Sequence, residues 1–75
     1  MITNQIERKR IENFILIAAV DGYAKNHGIG LLETVDLFKR FDVFTVLRAN
    51  YETLHTQDIS EAAAFAADYI ARMSK

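Results

Sequence analysis

His55-Thr56-Gln57-Asp58 is the polar cluster in this 75-residue chain whose composition goes beyond what a helix connection requires. An imidazole changes charge near neutral pH, and a carboxylate three positions away could orient it, making His55 and Asp58 a base and its orienter. The same residues have a plainer use. Thr, Gln and Asp end one helix and cap the next, and a histidine after Leu54 at a helix C-terminus meets unpaired carbonyls and the negative end of the dipole. A third use is a buried network in which His55 clamps the last two helices together. The plainer use is preferred, so no catalytic residue is assigned and the chain is read as non-enzymatic.

Other chemistry has less to build on. The two histidines, His27 and His55, stand far apart in a chain without cysteine. No His-x-x-x-His or Glu-x-x-His spacing accompanies them, so no metal site is expected. Gly28-Ile29-Gly30 is the nearest thing to a glycine-rich loop, and it reads as a helix stop followed by a permissive cap. No cofactor is expected. Arg8-Lys9-Arg10 could touch phosphates, but three successive residues spread around a helix, and Glu7 and Glu12 flank them. Two short helices joined by a tight turn superficially suggest a helix-turn-helix, yet the second of them carries Arg48 as its cation with Glu52 one turn on. Nucleic acid is therefore disfavoured as a partner, and a small DNA-associated regulator stands as the alternative.

The elements that would position these residues are helical. The chain has no Pro and three Gly, which suits long helices with short connections. Asn4 followed by Glu7 has the form of a capping box and starts a first helix near Gln5. It runs to His27, where Lys25 and His27 complement the helix end, Gly28 takes the left-handed position and Ile29 makes the contact of a Schellman ending. A second helix over 31–41 presents Leu31, Val35, Phe38 and Phe41. Asp42 caps a third over 43–55 with Val43, Leu47, Tyr51 and Leu54 on one stripe, and a helix continuous through Asp42 is the competing reading. Asp58-Ile59-Ser60-Glu61 opens a fourth helix over 59–73 with Ala62, Phe65/Ala66, Tyr69 and Met73 inward. The fold class is all-α, a single domain of about four helices. Alanines at 62, 63, 64, 66, 67 and 71 let two helix axes approach closely.

Within the first helix, Phe14-Ile15-Leu16-Ile17-Ala18-Ala19-Val20 is apolar at seven consecutive positions, which point around the whole circumference. Such a segment needs cover on all sides. A domain this small seldom gains more than about 3–5 kcal/mol from its core. Without disulfides, reinforcement must come from tight packing or association. Nine Lys and Arg against ten Asp and Glu give a net charge of −1, too little field to hold a polyanion or an anionic membrane. The apolar run is shorter than the ~20 residues of a membrane span, and Met1-Ile2-Thr3-Asn4 is not a basic leader. A cytoplasmic location is expected.

Leu37-Phe38-Lys39-Arg40-Phe41 together with Tyr51-Glu52-Thr53-Leu54-His55-Thr56-Gln57 resembles a family of small bacterial helical proteins classed as a domain of unknown function. The resemblance covers nearly the whole chain and implies four helices, the third ending at Leu-His-Thr-Gln. Two positions depart from the pattern: Asp42 stands where glycine is expected, and the last helix is richer in alanine. Members are often encoded beside larger proteins, some resembling ADP-ribosyltransferases, and the resemblance therefore implies an antitoxin-like or accessory role.

The functional expectation is a non-catalytic interaction module, self-associating as a homo-oligomer or paired with a neighbouring gene product. Phe14, Ile17, Tyr23, Tyr51 and Tyr69 are its candidate interface or core anchors. An enzyme or enzyme accessory using His55 is the third reading.

Overall fold

A computed structural model describes residues 2–74, with side chains from residue 6 onward. Its helices are α1 (Ile2–His27), α2 (Leu31–Arg40), α3 (Val43–Ala49), α4 (Tyr51–Leu54) and α5 (Ser60–Met73). The all-α bundle of the sequence reading is present. One expected helix is two, because the 43–55 segment is interrupted at Asn50, whose φ of −104° and ψ of 20° lie outside the helical range. There the backbone N–H is shared between the carbonyls of Val46 and Leu47, and the side-chain amide donates to Val46 O at 2.8 Å. An Asn that bonds back onto its own helix tightens the turn and redirects the chain.

The other boundaries follow local chemistry. α1 begins at Ile2, ahead of the expected start at Gln5, since no Pro or Gly before Asn4 stops the helix. Asn4 is thus inside α1 and not its cap; its side chain lies outside the described residues. At the other end Gly28 has φ +64° and the Ile29 N–H donates to Ala24 O at 3.1 Å, the long bond of the Schellman ending read from the sequence. The α2–α3 corner turns on Asp42 at φ 57°, a left-handed conformation that Asp tolerates better than most side-chained residues. Its carboxylate accepts from Thr45 Oγ1 at 2.8 Å and makes no capping bond to the backbone. α2 and α3 are separate helices. α5 starts at Ser60, within the expected limits.

α1 is the axis of the molecule, and its length accounts for the 40 Å long dimension. α5 covers one side of it most extensively, and α2 and α3 cover part of another. The α1–α5 crossing is close: a methyl placed on Gly22 would come within 2.7 Å of the Ala63 Cβ. Small residues at the crossing bring the axes together, as the alanine content predicts. The core joins Ile15, Ala19 and Tyr23 of α1 to Phe38, Val43, Leu47, Tyr51, Leu54, Ala62, Ala66 and Ile70. The expected stripe of the 43–55 segment is buried throughout. Two stripes need correction. In α2 the buried positions are Thr34 and Phe38, with Leu31 exposed; Thr34 satisfies its hydroxyl on Gly30 O at 2.9 Å and so enters the core at little cost. In α5, Ile70 is buried and Met73 is exposed, because α5 packs on α1 mainly through its alanines.

Candidate interaction surface

The seven-residue apolar run of α1 is not covered on all sides by the other helices of the chain, so of the two forms of cover that the sequence allows, packing within the bundle does not complete it. Ile15 and Ala19 are buried, and Leu16, Ala18 and Val20 are half-buried. Phe14 and Ile17 are 59% and 66% exposed. Successive helical positions turn by about 100°, so Ile15 and Ala19 share one face while Phe14 and Ile17 point away from it. Elements on two sides of a cylinder leave the third open. Two exposed large apolar side chains one turn apart on a single helix form a patch rather than scattered exposure.

Beside that patch lies an open groove between α1 and the α2–α3 corner. Leu16, Ile17 and Val20 form one wall, and Leu31, Val35 and Phe44 the other; its volume is about 340 Å³. The lining is almost wholly apolar. Leu32, next to Leu31 at the start of α2, is 82% exposed. The sequence reading missed this wall because it placed Leu31 and Val35 in the core stripe. Leu31, Val35 and Phe38 fall within about 60° of one another on a helix, so their spacing carried no sign that Leu31 would be exposed.

The polar cluster is dispersed along its connection. His55 donates from Nδ1 to the Tyr51 carbonyl at 3.0 Å and its ring stacks on that of Tyr51 at 4.7 Å. This is a local use of a histidine at a helix end. His55 is exposed, so the buried clamp between the last helices is not formed. Thr56 Oγ1 returns to Thr53 O at 2.8 Å, and the Gln57 N–H reaches Leu54 O at 3.2 Å. Asp58 turns the other way, into α5. Its Oδ1 accepts from the Ser60 N–H and from the Ser60 hydroxyl, each at 3.1 Å. The backbone bond first, and the hydroxyl bond second, hold its carboxyl below the ordinary value of 3.8. His55 and Asp58 thus bond to different helices, and no hydrogen bond joins them among the described residues. Similar geometry recurs at His27, which bonds through Nδ1 to Tyr23 O at 3.0 Å and stacks on the Tyr23 ring at 3.9 Å.

The tyrosine anchors divide between core and edge. Tyr23 and Tyr51 are buried, and Tyr69 is half-buried against the core. Tyr23 meets Phe38 edge-on at 5.4 Å. Tyr51 carries the Arg8 guanidinium over its ring at 4.5 Å. Arg8 also pairs with Glu12 at 3.1 Å and approaches Glu52 at 3.8 Å. The basic triplet is therefore not a uniform solvated face: Arg8 joins α1 to α4.

A family described as "Protein of unknown function (DUF3791)" matches residues 4–72. The chain belongs to this family. The match takes in α2, α3 and α4, all but the first two residues of α1 and the last residue of α5, and the whole of the apolar face. Comparison with curated proteins and with solved structures gives no match. Among the described residues of this DUF3791 chain, no three potential metal ligands converge, and no helix is long and apolar enough to cross a membrane.

Proposed function

We propose that the chain is a non-catalytic protein-interaction module of a bacterial cytoplasm, associating with itself or serving as the small partner of a larger, neighbouring gene product. The observation that carries this reading is the open apolar face of α1, where Phe14 and Ile17 stand in solvent beside the groove lined by Leu16, Val20, Leu31 and Phe44. Exposed apolar area of this kind is stabilised by burial at roughly 25 cal/mol per Å², and a central apolar cluster is where binding energy concentrates in protein interfaces. The resemblance to proteins encoded beside larger partners supports an antitoxin-like or accessory role. For the DNA-associated alternative the triplet is a poor footprint, since Arg8 is engaged by Tyr51, Glu12 and Glu52.

The test is light scattering on the purified chain, alone and mixed with the product of the adjacent gene. An assembly heavier than the monomer is expected in at least one of the two samples, and Phe14→Asp should abolish it while leaving helicity intact. A chain that stays monomeric in both samples would reject the reading.

A further inference from the structure

We propose that the occupant of this face is a second copy of the same chain, docked with its α1 antiparallel to the first across a two-fold axis. The inference rests on the interaction-module reading and adds a partner, an orientation and a register to it. The stripe Glu7, Arg10, Phe14, Ile17, Asp21, Lys25 advances by three or four residues at each step, the spacing of one helix face. Its members lie within about 80° of the circumference at about 100° per residue. Glu7, Arg10, Phe14, Ile17 and Lys25 are exposed and Asp21 is half-buried. In order, the stripe reads negative, positive, apolar, apolar, negative, positive.

Reversed, the same stripe places an opposite charge at each charged position. In an antiparallel pair Glu7 meets Lys25 of the second copy, Arg10 meets its Asp21, and Phe14 meets its Ile17. The axis falls midway between residues 15 and 16 for the Arg10–Asp21 and Phe14–Ile17 pairs; Glu7 and Lys25 lie one residue, about 1.5 Å, out of that register, within reach of their long side chains. A parallel pair in register would set each charge against its like, which is strongly unfavourable. The pairing is isologous, so every contact is made twice.

Shape agrees with charge. Ile17 and Asp21 belong both to the stripe and to the lining of the apolar groove. The Phe14 opposite Ile17 is therefore delivered to the mouth of that groove, and the reciprocal Phe14 enters the groove of the other copy. Asp21 already pairs with Lys25 at 3.0 Å, but the Lys25 and Asp21 side chains are 75% and 50% exposed, and such a pair is weak enough to share. Arg10 makes no ion pair among the described residues.

Charge exchange tests the register. Arg10→Asp alone makes two like-charge encounters per dimer, and so does Asp21→Arg alone. Each variant should stay helical by circular dichroism and associate about ten-fold or more weakly than wild type in sedimentation velocity. An equimolar mixture of the two restores both opposite-charge encounters and should recover a dimer. Glu7→Lys and Lys25→Glu provide a second such pair should either of the first two variants fail to fold. A wild-type chain that remains monomeric at high micromolar concentration overturns the second copy as occupant, whereas the interaction-module reading falls only if the adjacent gene product also fails to bind. A dimer indifferent to the single exchanges, or a mixture that does not recover association, overturns the antiparallel register.

Discussion

At the scale of single residues, the chemistry of this chain is spent on helix ends. Asp58 is a cap whose carboxylate receives two bonds from Ser60. Since its pKa in the fold lies below that of the unfolded chain, the stability it contributes is present above the unfolded value of 3.8 and is lost as pH falls through the folded value. Asp58→Asn keeps an acceptor and removes the titration. Thermal melts across the acid range should therefore converge for the two proteins below about pH 4, with wild type the more stable above it; parallel melts at every pH would show that the cap does not depend on charge. Arg8 is the residue whose role was least legible. Its separation from Tyr51 in sequence hides the contact that folds them together. Arg8→Ala should lower stability by about 0.5–1 kcal/mol through the lost ring contact and ion pairs, and Lys9→Ala should leave it unchanged. Chemical denaturation of both variants decides the point, and equal effects would contradict the assigned difference. The cap at Asp58 and the stop at Gly28, by contrast, were readable because each depends on neighbours within a few positions.

At the scale of elements, close approach between α1 and α5 sets the fold. Gly22 sits where any side chain meets the Ala63 methyl, and both groups are fixed to their backbones. Gly22→Ala should gain up to about 1 kcal/mol of helix propensity. It should lose more through overpacking, typically about 1–3 kcal/mol, for a net fall in melting temperature. Adding Ala63→Gly should recover most of that fall, and a stabilised Gly22→Ala protein would mean the axes are not held so close. The same crossing explains what the sequence left open in α1. Seven successive apolar residues have no hydrophobic periodicity, so apolarity alone could not say which face is inward. The sizes of the side chains could. Ile15, Ala19 and Gly22 fall on one side of the helix, and their small members mark the packed face. Phe14 and Ile17 are large and lie opposite. The α2 stripe was misplaced for a related reason: apolar Leu31 outranked Thr34 by type, although Thr34 is buried with its hydroxyl bonded to Gly30 O.

At the scale of the whole molecule, one long helix is wrapped by the other helices on part of its circumference. The core from Ile15 to Ile70 is continuous and leaves no buried side-chain polar group unpartnered among the described residues, so folding does not require the Phe14–Ile17 face to be covered. That separation between a finished core and an open apolar face is the central claim, and two substitutions two residues apart in the same apolar run test it. Ile15 is 4% exposed and Ile17 is 66% exposed. A carboxylate at a buried position costs several kcal/mol, enough to unfold a domain of this size, whereas at an exposed position it is solvated. The decisive measurement is the far-ultraviolet circular dichroism and thermal melt of Ile15→Asp and Ile17→Asp, made side by side. Ile15→Asp should lose its helicity and Ile17→Asp should keep its helicity and a cooperative melt. An Ile17→Asp protein as unfolded as Ile15→Asp would contradict the account, because the face would then belong to the core.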